Sequence, residues 1–489
     1  MEAKRLSETG EYTILPMSCE LYSDCTTPIE VLRRLKNASS HCYLLESVEN
    51  SEKWGRYTFL GYDPQMELTC TNGKAETRKG STVVLKTDHP GEMIRMVLAD
   101  HRSPRFDSLP PFTGGLVGYF SYDYIQYSEP SLKLDAEDGE GFKDVDLMLF
   151  DKVVAFDSFR HKIILIVNIK CDDIETEYSR GEAELASMRR LVLGGAPCVD
   201  MPGRLTSPFR HLFDREGYCA MVRKAKEYIR DGDIFQAVLS NRLDADFEGS
   251  LLDTYRVLRT TNPSPYMFYF SSDDIEIAGA SPETLVKLEN NILHTFPLAG
   301  TRPRGETEEA DKRLEAELLA DEKERAEHNM LVDLGRNDLG KISVFGSVAV
   351  ERYMSVERFS HVMHIGSTVR GTLRPDRDAL SAVEAVLPAG TLSGAPKIRA
   401  AQIINELENN KRGIYGGAIG YIDFTGNLDT CIAIRIAFKK NSKVFIRSGA
   451  GIVADSVPEN EYQECINKAK AVMRALYTAQ EGIDDDCSD

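Results

Sequence analysis

The stretch Pro388–Lys397 reads PAGTLSGAPK and is the first of four distinctive blocks in the C-terminal part of the chain. The second and third blocks are Tyr415–Tyr421 (YGGAIGY) and Ser448–Val453 (SGAGIV), and the fourth is Pro458–Glu464 (PENEYQE). Any one of these blocks alone could belong to an ordinary loop or hairpin. The ordered set places a carboxylate metal site, a cationic anchor and a cradle of backbone amides on one scaffold, which is typical of an enzyme.

The composition limits the classes of partner. The chain has 489 residues, of which 42% are hydrophobic, so it can bury a large core and its length permits more than one domain. The formal net charge is −18. We therefore expect no nucleic-acid partner and no acidic membrane surface, because both need a basic face. An anionic ligand would need a local cluster of positive charge.

Targeting and cysteine signals favour a cytoplasmic protein. Residues Met1–Gly10 are polar, and the strongest apolar run, Ile163–Val167, is far too short to cross a bilayer. The ten cysteines include no C-x-x-C pair. This pattern favours isolated reduced thiols over a disulfide framework or a structural zinc site.

Glycine and proline are dense over residues 193–208, which predicts a boundary between a β-rich half, 1–205, and a second half, 206–489. Strands predicted in the first half are Cys42–Ser47, Tyr57–Leu60, Met66–Cys70, Leu147–Phe156 and Lys162–Asn168. In the second half, a helix is predicted between a cap at Asp214 and a stop at Gly232. Further predicted helices are Ser250–Arg259, Glu308–Asp333, Asp378–Val386, Lys397–Glu408 and Glu459–Ala479. Further predicted strands are Phe235–Leu243, Ile414–Phe424, Asp429–Lys439 and Lys443–Arg447.

Two pairs of glutamates occur at helical spacing. Glu324 and Glu327 lie three residues apart, and Glu461 and Glu464 repeat that spacing in the fourth block. Residues three apart share one face of a helix. If both pairs faced one cavity, they would supply the hard oxygen ligands that Mg²⁺ prefers, and a substrate carboxylate could complete its shell. The alternative is a solvated acidic surface, which is the commoner role of such pairs in an acidic chain.

Several groups could hold an anion. Arg435 has apolar neighbours in the predicted strand segment Cys431–Ala437 (CIAIRIA). A buried guanidinium needs a carboxylate, which could belong either to a ligand or to an internal salt bridge. Lys468 follows Glu464 by one helical turn and could face the same cavity. The run Gly449-Ala450-Gly451 presents successive amides with little side-chain bulk, which suits a carboxylate nest.

The same glycines formally satisfy the dinucleotide fingerprint G-x-G-x-x-A over Gly449–Ala454. That fingerprint requires a helix that begins at the glycines. Asp455, Ser456 and Pro458 delay the next predicted helix, so we do not predict a nucleotide-binding fold.

Acid and base candidates are few. Glu283 follows Ser281 and Pro282 after a predicted strand, and an apolar setting would raise its pKa toward that of a general acid. The alternative for this stretch is a helix start with proline at the first position, and both roles can hold together. His361 and His364 lie three apart in a segment predicted to be extended, and no third ligand of that type follows, so we do not predict a metal pair there.

The four blocks, in this order, resemble the chorismate-utilising enzymes and, within that family, the anthranilate synthase component I branch. The resemblance is dense over residues 214–470. It implies an α+β fold in which two large antiparallel sheets pack as a sandwich-like core with helices outside. It also implies chorismate as substrate and Mg²⁺ as cofactor, with Glu327 and Glu464 at the metal-binding positions.

The same resemblance assigns further site residues. Glu283 matches the acid that protonates the departing C4 hydroxyl, and His364 matches the active-site histidine, whereas His361 is expected to be structural. The positions that match chorismate-binding residues are Gly300, Thr301, Tyr415, Arg435, Gly449, Ala450 and Gly451.

Three positions distinguish the branches of the family. Water-using relatives carry a lysine base where this chain has Gln236, which cannot deprotonate water. Relatives of the para-aminobenzoate branch use a nucleophilic lysine where this chain has Ala299. Thr391 is shared with relatives that eliminate pyruvate. These residues imply amination of chorismate at C2 with ammonia, loss of the C4 hydroxyl and elimination of pyruvate to give anthranilate.

Two segments resemble the feedback site for L-tryptophan in this branch. The first contributes Leu45, Glu46, Ser47 and Lys53, and the second contributes Pro265, Tyr266 and Met267. The alternatives are a strand end for the first and a turn segment forced by two prolines for the second. Because an effector site here would use both halves, we expect the N-terminal half to be regulatory and to pack against the catalytic half.

No cysteine lies in a G-x-C-x-G setting, so ammonia from glutamine would need a separate amidotransferase subunit, component II. The resemblance implies a heterotetramer of two large and two small subunits. The alternatives are an ammonia-only reaction, an aminodeoxyisochorismate or aminodeoxychorismate synthase, and a non-catalytic tryptophan sensor. The intact Glu283, Glu327, Arg435 and Glu464 argue against the sensor, since a pure binder has no need of them.

Overall fold

The computed structural model describes residues 2–47, 55–358 and 362–482. The strands are β1 (Ile14–Tyr22), β2 (Cys42–Glu46), β3 (Tyr57–Tyr62), β4 (Met66–Thr71), β5 (Lys74–Lys79), β6 (Thr82–Thr87), β7 (Gly115–Phe120), β8 (Val145–Phe150), β9 (Lys152–Asp157), β10 (Lys162–Lys170), β11 (Arg204–Leu205), β12 (Arg210–His211), β13 (Gln236–Glu248), β14 (Tyr266–Ser271), β15 (Glu276–Ser281), β16 (Thr284–Glu289), β17 (Ile292–Thr295), β18 (Leu298–Pro303), β19 (Ala349–Arg358), β20 (Val362–Thr372), β21 (Gly394–Ala395), β22 (Ala418–Asp423), β23 (Leu428–Ile432), β24 (Ile436–Lys440) and β25 (Lys443–Ile452).

The helices are α1 (Glu2–Ser7), α2 (Pro28–Ala38), α3 (Pro90–Ala99), α4 (Ile125–Ser128), α5 (Ile174–Gly194), α6 (Arg215–Arg230), α7 (Leu252–Thr261), α8 (Glu308–Ala320), α9 (Glu322–Gly340), α10 (Ala379–Val386), α11 (Lys397–Glu408) and α12 (Pro458–Glu481). Short 3₁₀ turns occupy Tyr122–Tyr124 and Gly390–Leu392. None of the helices in the described ranges is both long and apolar enough to cross a membrane.

The strands form two large sheets. The first runs in the order β1-β10-β9-β3-β2-β14-β15-β24-β25-β13-β11, and β12 and β21 also pair with β13. The second runs in the order β18-β20-β17-β16-β23-β22-β7-β8-β4-β5-β6, and β19 pairs with β20. The pairs β2·β14 and β7·β22 are antiparallel and join strands from the two predicted halves. Each sheet therefore draws on both halves of the chain.

The two sheets pack face to face. Aromatic and aliphatic side chains from both inner faces form one buried cluster, in which Tyr43 of β2 meets Phe150 of β8 edge-to-face at 4.7 Å between ring centroids. Helices α2, α5, α7 and α12 cover the outer face of the first sheet, and α3, α9 and α10 cover that of the second. The predicted α+β sandwich with helices outside is confirmed.

The opening stretch Pro388–Lys397 connects the two layers. After the 3₁₀ turn, β21 pairs with the start of β13. Gly394 has φ +131°, and a Cβ there would lie 2.1 Å from the carbonyl oxygen of Gln236, so the close approach requires glycine. Lys397 then begins α11 and donates to Asp338 of α9 at 2.7 Å. The stretch thereby fixes the start of β13 and α9 relative to one another.

Three predicted elements were wrong in their continuity. The strand predicted over Leu147–Phe156 is divided at Asp151 into β8 and β9, which belong to different sheets. The single helix predicted over Glu308–Asp333 is two helices, because the Asp321 side chain accepts the amides of Lys323 and Glu324 and starts a new helix. The strand predicted over Asp429–Lys439 is broken at Arg435, which adopts φ +52° between β23 and β24. β25 also continues through the glycines to Ile452, beyond its predicted end at Arg447.

Candidate active site

A cavity of about 650 Å³ lies where β13, β18, β20 and β25 meet α9 and α12. Thirteen predicted positions line it: Glu283, Gly300, Thr301, Glu324, Glu327, His364, Thr391, Tyr415, Arg435, Gly449, Gly451, Glu464 and Lys468. Glu461, Gln236 and Ala299 line it as well. Ala450 does not, because its side chain packs on the opposite side of β25 in a separate apolar cluster.

Glu283 lies in the turn between β15 and β16, so the helix start considered for this stretch is not formed. The Thr391 hydroxyl donates to Glu283 Oε1 at 3.0 Å. Burial raises the pKa of Glu283 to about 7, although Thr391, Arg435 and Lys468 oppose the shift. A carboxyl group with this pKa is protonated in a useful fraction of molecules near neutral pH, as a general acid requires.

Arg435 projects into the cavity from the break between β23 and β24. Its guanidinium makes no hydrogen bond or salt bridge to any residue in the described part of the chain. Burial lowers the pKa of Arg435, and the nearby Glu283 partly offsets the effect. Left-handed backbone is costly for a residue with a side chain and is found at functional sites. Of the two partners considered for this guanidinium, the arrangement favours a ligand.

His364 is held by the main chain of β18. Its Nδ1 lies 2.8 Å from the Gly300 carbonyl oxygen and 3.1 Å from Thr301 Oγ1. Burial lowers the pKa of His364 below its ordinary value, despite the bond to Gly300. The ring is therefore neutral near neutral pH, with the proton on Nδ1 shared with that carbonyl.

The glycines of the third block present strand-edge amides rather than a nest of successive amides. The two residues of β13 that flank Leu239 donate their main-chain N–H groups to acceptors outside β25. The main-chain hydrogen bonds between β13 and β25 therefore join Leu239 and Ala450. The amides of Gly449 and Gly451 then point to the other edge of β25. Pairing with β24 stops at Ile446, which leaves that edge open to the cavity. Alternate amides, not adjacent ones, are available to an anion.

The two glutamate pairs reach the same cavity from α9 and α12. Burial and the neighbouring Glu324 raise the pKa of Glu327, and burial and the neighbouring Glu464 raise the pKa of Glu461. Glu464 pairs with Lys468 at 2.7 Å, and about half of its side chain is exposed. No three His, Cys, Asp or Glu side chains in the described ranges are close enough to form a complete metal cage.

This donor set fits Mg²⁺ better than it fits a closed structural ion. Magnesium is usually held by one or two carboxylates together with water and substrate oxygens. Mutual repulsion within each glutamate pair would be relieved by a cation. The family resemblance assigns Glu327 on α9 and Glu464 on α12 as the ligands, and both line the cavity.

A second cavity, of about 240 Å³, lies between the sheets near β2, β14 and β22. Leu45, Glu46, Ser47, Pro265, Tyr266 and Met267 line it, whereas Lys53 lies outside the described residues. Glu46 and Met267 are cross-strand partners, and only their main-chain atoms face this second cavity. The Glu46 carboxylate accepts from Tyr255 and Arg259, and Met267 packs in the outer core.

Sequence reasoning missed the charged residues beneath the active-site cavity. Arg412 and Arg447 are buried, and each forms a salt bridge with the buried Glu408. The only local signal is the i, i+4 spacing of Glu408 and Arg412 at the end of α11. Lys323 also lines the cavity, and no sequence signal distinguishes it from the other residues of its predicted helix.

Comparison with known proteins identifies relatives over nearly the whole chain. The profile of the chorismate binding enzyme family matches residues 40–474. Anthranilate synthase component 1 of Acetivibrio thermocellus is 45% identical over 480 residues, covering 96% of this chain and 97% of that protein. The protein of the same name from Aquifex aeolicus is 45% identical over 485 residues, covering 98% of each.

Solved structures show the same architecture. Anthranilate synthase component I from Streptococcus pneumoniae TIGR4 superposes with a TM-score of 0.76 at 39% identity, covering 93% of this chain and 99% of that one. The menaquinone-specific isochorismate synthase of Escherichia coli superposes with a TM-score of 0.71 at 19% identity, covering 97% and 99%. At that identity, the second match bears on the fold alone.

Proposed function

Because this chain belongs to the chorismate binding enzyme family, we propose that it is the large component of an anthranilate synthase. In the proposed reaction, ammonia adds at C2 of chorismate, the C4 hydroxyl leaves as water, and the enolpyruvyl group leaves as pyruvate. Its relatives at 45% identity carry that name, which supports the assignment.

The observation that carries the proposal is the Arg435 guanidinium, which has no hydrogen-bond or salt-bridge partner among the residues that the structure describes and lies in the cavity lined by the two glutamate pairs. Chorismate carries two carboxylates. Arg435 and the open amides of Gly449 and Gly451 suit one of them, and a cation held by the glutamates suits the other. Bound Mg²⁺, held by Glu327 and Glu464, would neutralise and orient the ring carboxylate.

Glu283 is the proposed proton donor to the departing hydroxyl. Its raised pKa keeps it partly protonated at neutral pH, and Thr391 orients its Oε1. Proton donation at C4 makes the hydroxyl a better leaving group as the nucleophile forms its bond at C2. Tyr415 closes the wall of the cavity and is buried, which excludes water from the reacting ring.

Gln236 favours ammonia as the nucleophile. The side chain is only 3% exposed and lines the cavity. Its Oε1 has no hydrogen-bond partner among the described residues. An amide oxygen accepts a hydrogen bond but cannot take a proton from water. Ala299, which also faces the cavity, cannot form a covalent adduct with the ring.

The test is to incubate the purified chain with chorismate, ammonium and Mg²⁺, and to follow anthranilate by fluorescence and pyruvate by a coupled dehydrogenase. We expect equimolar anthranilate and pyruvate. An aminated product that retains its side chain, without pyruvate, would instead identify an aminodeoxyisochorismate or aminodeoxychorismate synthase. A hydroxylated product would rule out the amination.

For the metal, we predict that Glu327→Gln and Glu464→Gln each raise the Mg²⁺ concentration for half-maximal activity by at least about tenfold, the loss expected even of an outer-shell partner. Activity should disappear with EDTA and return with excess Mg²⁺. Isothermal titration of Mg²⁺ gives the same comparison without turnover. Glu459→Gln, an exposed change on the first turn of α12, is the matched control. Unchanged Mg²⁺ affinity in both variants would refute this ligand assignment.

The second cavity supports a feedback site for L-tryptophan. It is lined by apolar and aromatic side chains together with charged groups that include Arg56 and Asp429, which suits an aromatic amino acid. Tyr266 pairs with Ser281, two residues before Glu283. Occupancy of this cavity would therefore bear directly on the strand that positions the acid.

For the effector, we predict that Leu45→Ala raises the L-tryptophan concentration for half-inhibition by about tenfold or more, because three carbons of a partly buried side chain are lost from the surface that tryptophan would contact. The kcat without tryptophan should change little. Leu85→Ala, which removes the same atoms from a partly buried leucine on β6, is the control. Equal inhibition of both variants would remove the cavity from consideration as the tryptophan site.

The word "component" in the names of the relatives implies a second component. We propose that it is a glutamine amidotransferase that delivers ammonia, in an assembly of two large and two small subunits. Glutamine should then support anthranilate formation only in the presence of that subunit, whereas ammonium should support it without.

A further inference from the structure

Three buried charged side chains lie at the base of the active-site cavity, and one of them, Arg447, also lines it. Glu408 ends α11, Arg412 lies in the segment that follows it, and Arg447 lies on β25. Their side chains are at most 2% exposed. We call these three residues the ion triad.

Arg412 bonds to two segments of the cavity wall. It donates at 2.6 Å to the carbonyl oxygen of Leu392 and at 2.6 Å to that of Val238. Its guanidinium also lies 4.5 Å from the ring centroid of Tyr122 and 5.8 Å from that of Tyr415. Leu392, Val238 and Tyr415 all line the cavity.

Glu408 and Arg447 fix Arg412 in turn. The Glu408 carboxylate accepts from both guanidiniums and from the amide and hydroxyl of Ser240. Arg447 donates further to the Ser240 hydroxyl at 2.8 Å and to the carbonyl of Lys411 at 3.1 Å. Burial alone would raise the pKa of Glu408, but Arg412 and Arg447 hold it below its ordinary value. The carboxylate is therefore ionised and the triad carries a net positive charge.

A short covalent and hydrogen-bonded path connects the triad to the acid. Leu392, whose carbonyl is bound by Arg412, directly follows Thr391 in the chain. The Thr391 hydroxyl donates to Glu283 Oε1 at 3.0 Å. A shift of the Leu392 carbonyl would move the threonine away from the carboxyl group.

Burying three charged side chains in a core requires an unfavourable loss of hydration. Buried ion pairs can often be replaced by apolar side chains without loss of stability, because desolvation offsets their attraction. Here two guanidiniums share one carboxylate, and the remaining donors go to main-chain and side-chain oxygens of β13, the Thr391 turn and the loop after α11. Bidentate and forked bonds fix direction as well as distance.

We propose that Arg412, held by Glu408 and Arg447, is a positioning residue that sets the Thr391 turn against Glu283 and holds the Tyr415 wall for catalysis. Arg412 is not among the residues that line the cavity. Its role rests on the proposed function of the cavity, since Glu283 is the acid of that reaction. The buried positive charge also favours a dianionic substrate above it.

The test compares Arg412→Lys with Arg95→Lys. Lysine keeps the charge but cannot bond both carbonyls and the carboxylate at once. We expect kcat to fall by about 10- to 100-fold, with KM for chorismate within about threefold, in Arg412→Lys only. Arg95 also forms a fork with two carboxylates, those of Asp378 and Glu384, but it is more exposed than Arg412 and lines none of the described cavities. Both variants are compared at temperatures where circular dichroism shows them folded.

The pH profile separates positioning from a purely structural role. The Thr391 bond lowers the pKa of Glu283, so loosening it should move the alkaline limb of kcat/KM to higher pH. Arg412→Lys and Thr391→Val should shift the limb in the same direction, and the double variant should shift it no further than Thr391→Val alone. Additive shifts, or a lower melting temperature with an unmoved limb, would overturn the proposal.

A second variant covers the case in which Arg412→Lys does not fold. Tyr122→Leu removes the ring beneath the guanidinium but leaves its hydrogen-bond partners, and we expect a smaller shift of the limb in the same direction. An unmoved limb in this variant would also count against the proposal. If the wild-type chain makes no anthranilate, the proposed function fails. If it does and Arg412→Lys behaves like Arg95→Lys, only this inference fails.

Discussion

Glu283→Gln is expected to lower kcat for anthranilate formation by about 10²- to 10⁴-fold, the range typical of a lost general acid. Glutamine has the shape and the neutral charge of the protonated glutamic acid but cannot donate a carboxyl proton. Chorismate binding, measured by titration calorimetry, should change little. A kcat within tenfold of wild type would show that another group donates the proton.

The same residue fixes the sign of the pH dependence. The acid acts in its protonated form, and its pKa is raised to about 7, so kcat/KM should fall as pH rises through that value. The rate is measured at constant free ammonia so that the ionisation of ammonium does not contribute. A carboxyl group whose folded-state pKa is raised destabilises the fold progressively as pH rises above its ordinary, unfolded-state pKa, and the penalty is complete above the raised value. Glu283→Gln should therefore raise the melting temperature at pH 8 and change it little at a pH below the ordinary pKa of a glutamate.

Arg435→Ala is expected to have the largest effect on substrate binding. Removing one partner of a buried charge pair costs about 2–5 kcal/mol, or roughly 30- to 4,000-fold in affinity. The loss should appear as a raised KM for chorismate and a lowered kcat/KM. Arg435→Lys should recover part of it, because lysine keeps the charge but not the two parallel hydrogen bonds.

Stability provides the control for this prediction. Without substrate, the Arg435 guanidinium has no salt-bridge or hydrogen-bond partner in residues 2–47, 55–358 and 362–482. Its removal should leave the melting temperature unchanged or raise it, since a buried unpaired charge is unfavourable. A large drop in melting temperature, with KM unaltered, would mean that the arginine serves the fold and not the substrate.

Elements with strong local signals were predicted well from the sequence. Helix α11 has the predicted bounds Lys397–Glu408, because a proline precedes its start and Asn409 adopts the left-handed conformation at its end. The cap of α6 at Asp214 is also confirmed, with the aspartate accepting the amide of Gly217 at 2.8 Å. In both cases, the deciding contacts join residues within one turn.

Errors arose where a distant contact overrides the local pattern. The alternation in CIAIRIA is that of a continuous strand, yet Arg435 is turned into the cavity because its carbonyl accepts the amide of Ala280 from β15. Likewise, Asp321 lies between two good helix-forming stretches, and its role as a cap depends on how α8 and α9 pack on β18 and β20. The periodicity of hydrophobic residues along the sequence carries no information about such contacts.

The sequence by itself determined which chemical groups are present and on which local elements they lie: two glutamate pairs at helical spacing, an arginine among apolar residues and a glutamate after a strand. Only the tertiary structure decided that these groups share one cavity, that the Arg435 guanidinium has no hydrogen-bond or salt-bridge partner among the described residues and that the buried Arg412 bonds to the carbonyl of Leu392, next to Thr391. The physical reason is separation along the chain. Arg412 reaches Val238 across 174 positions, and contacts of that span form only when both sheets and their helices have packed.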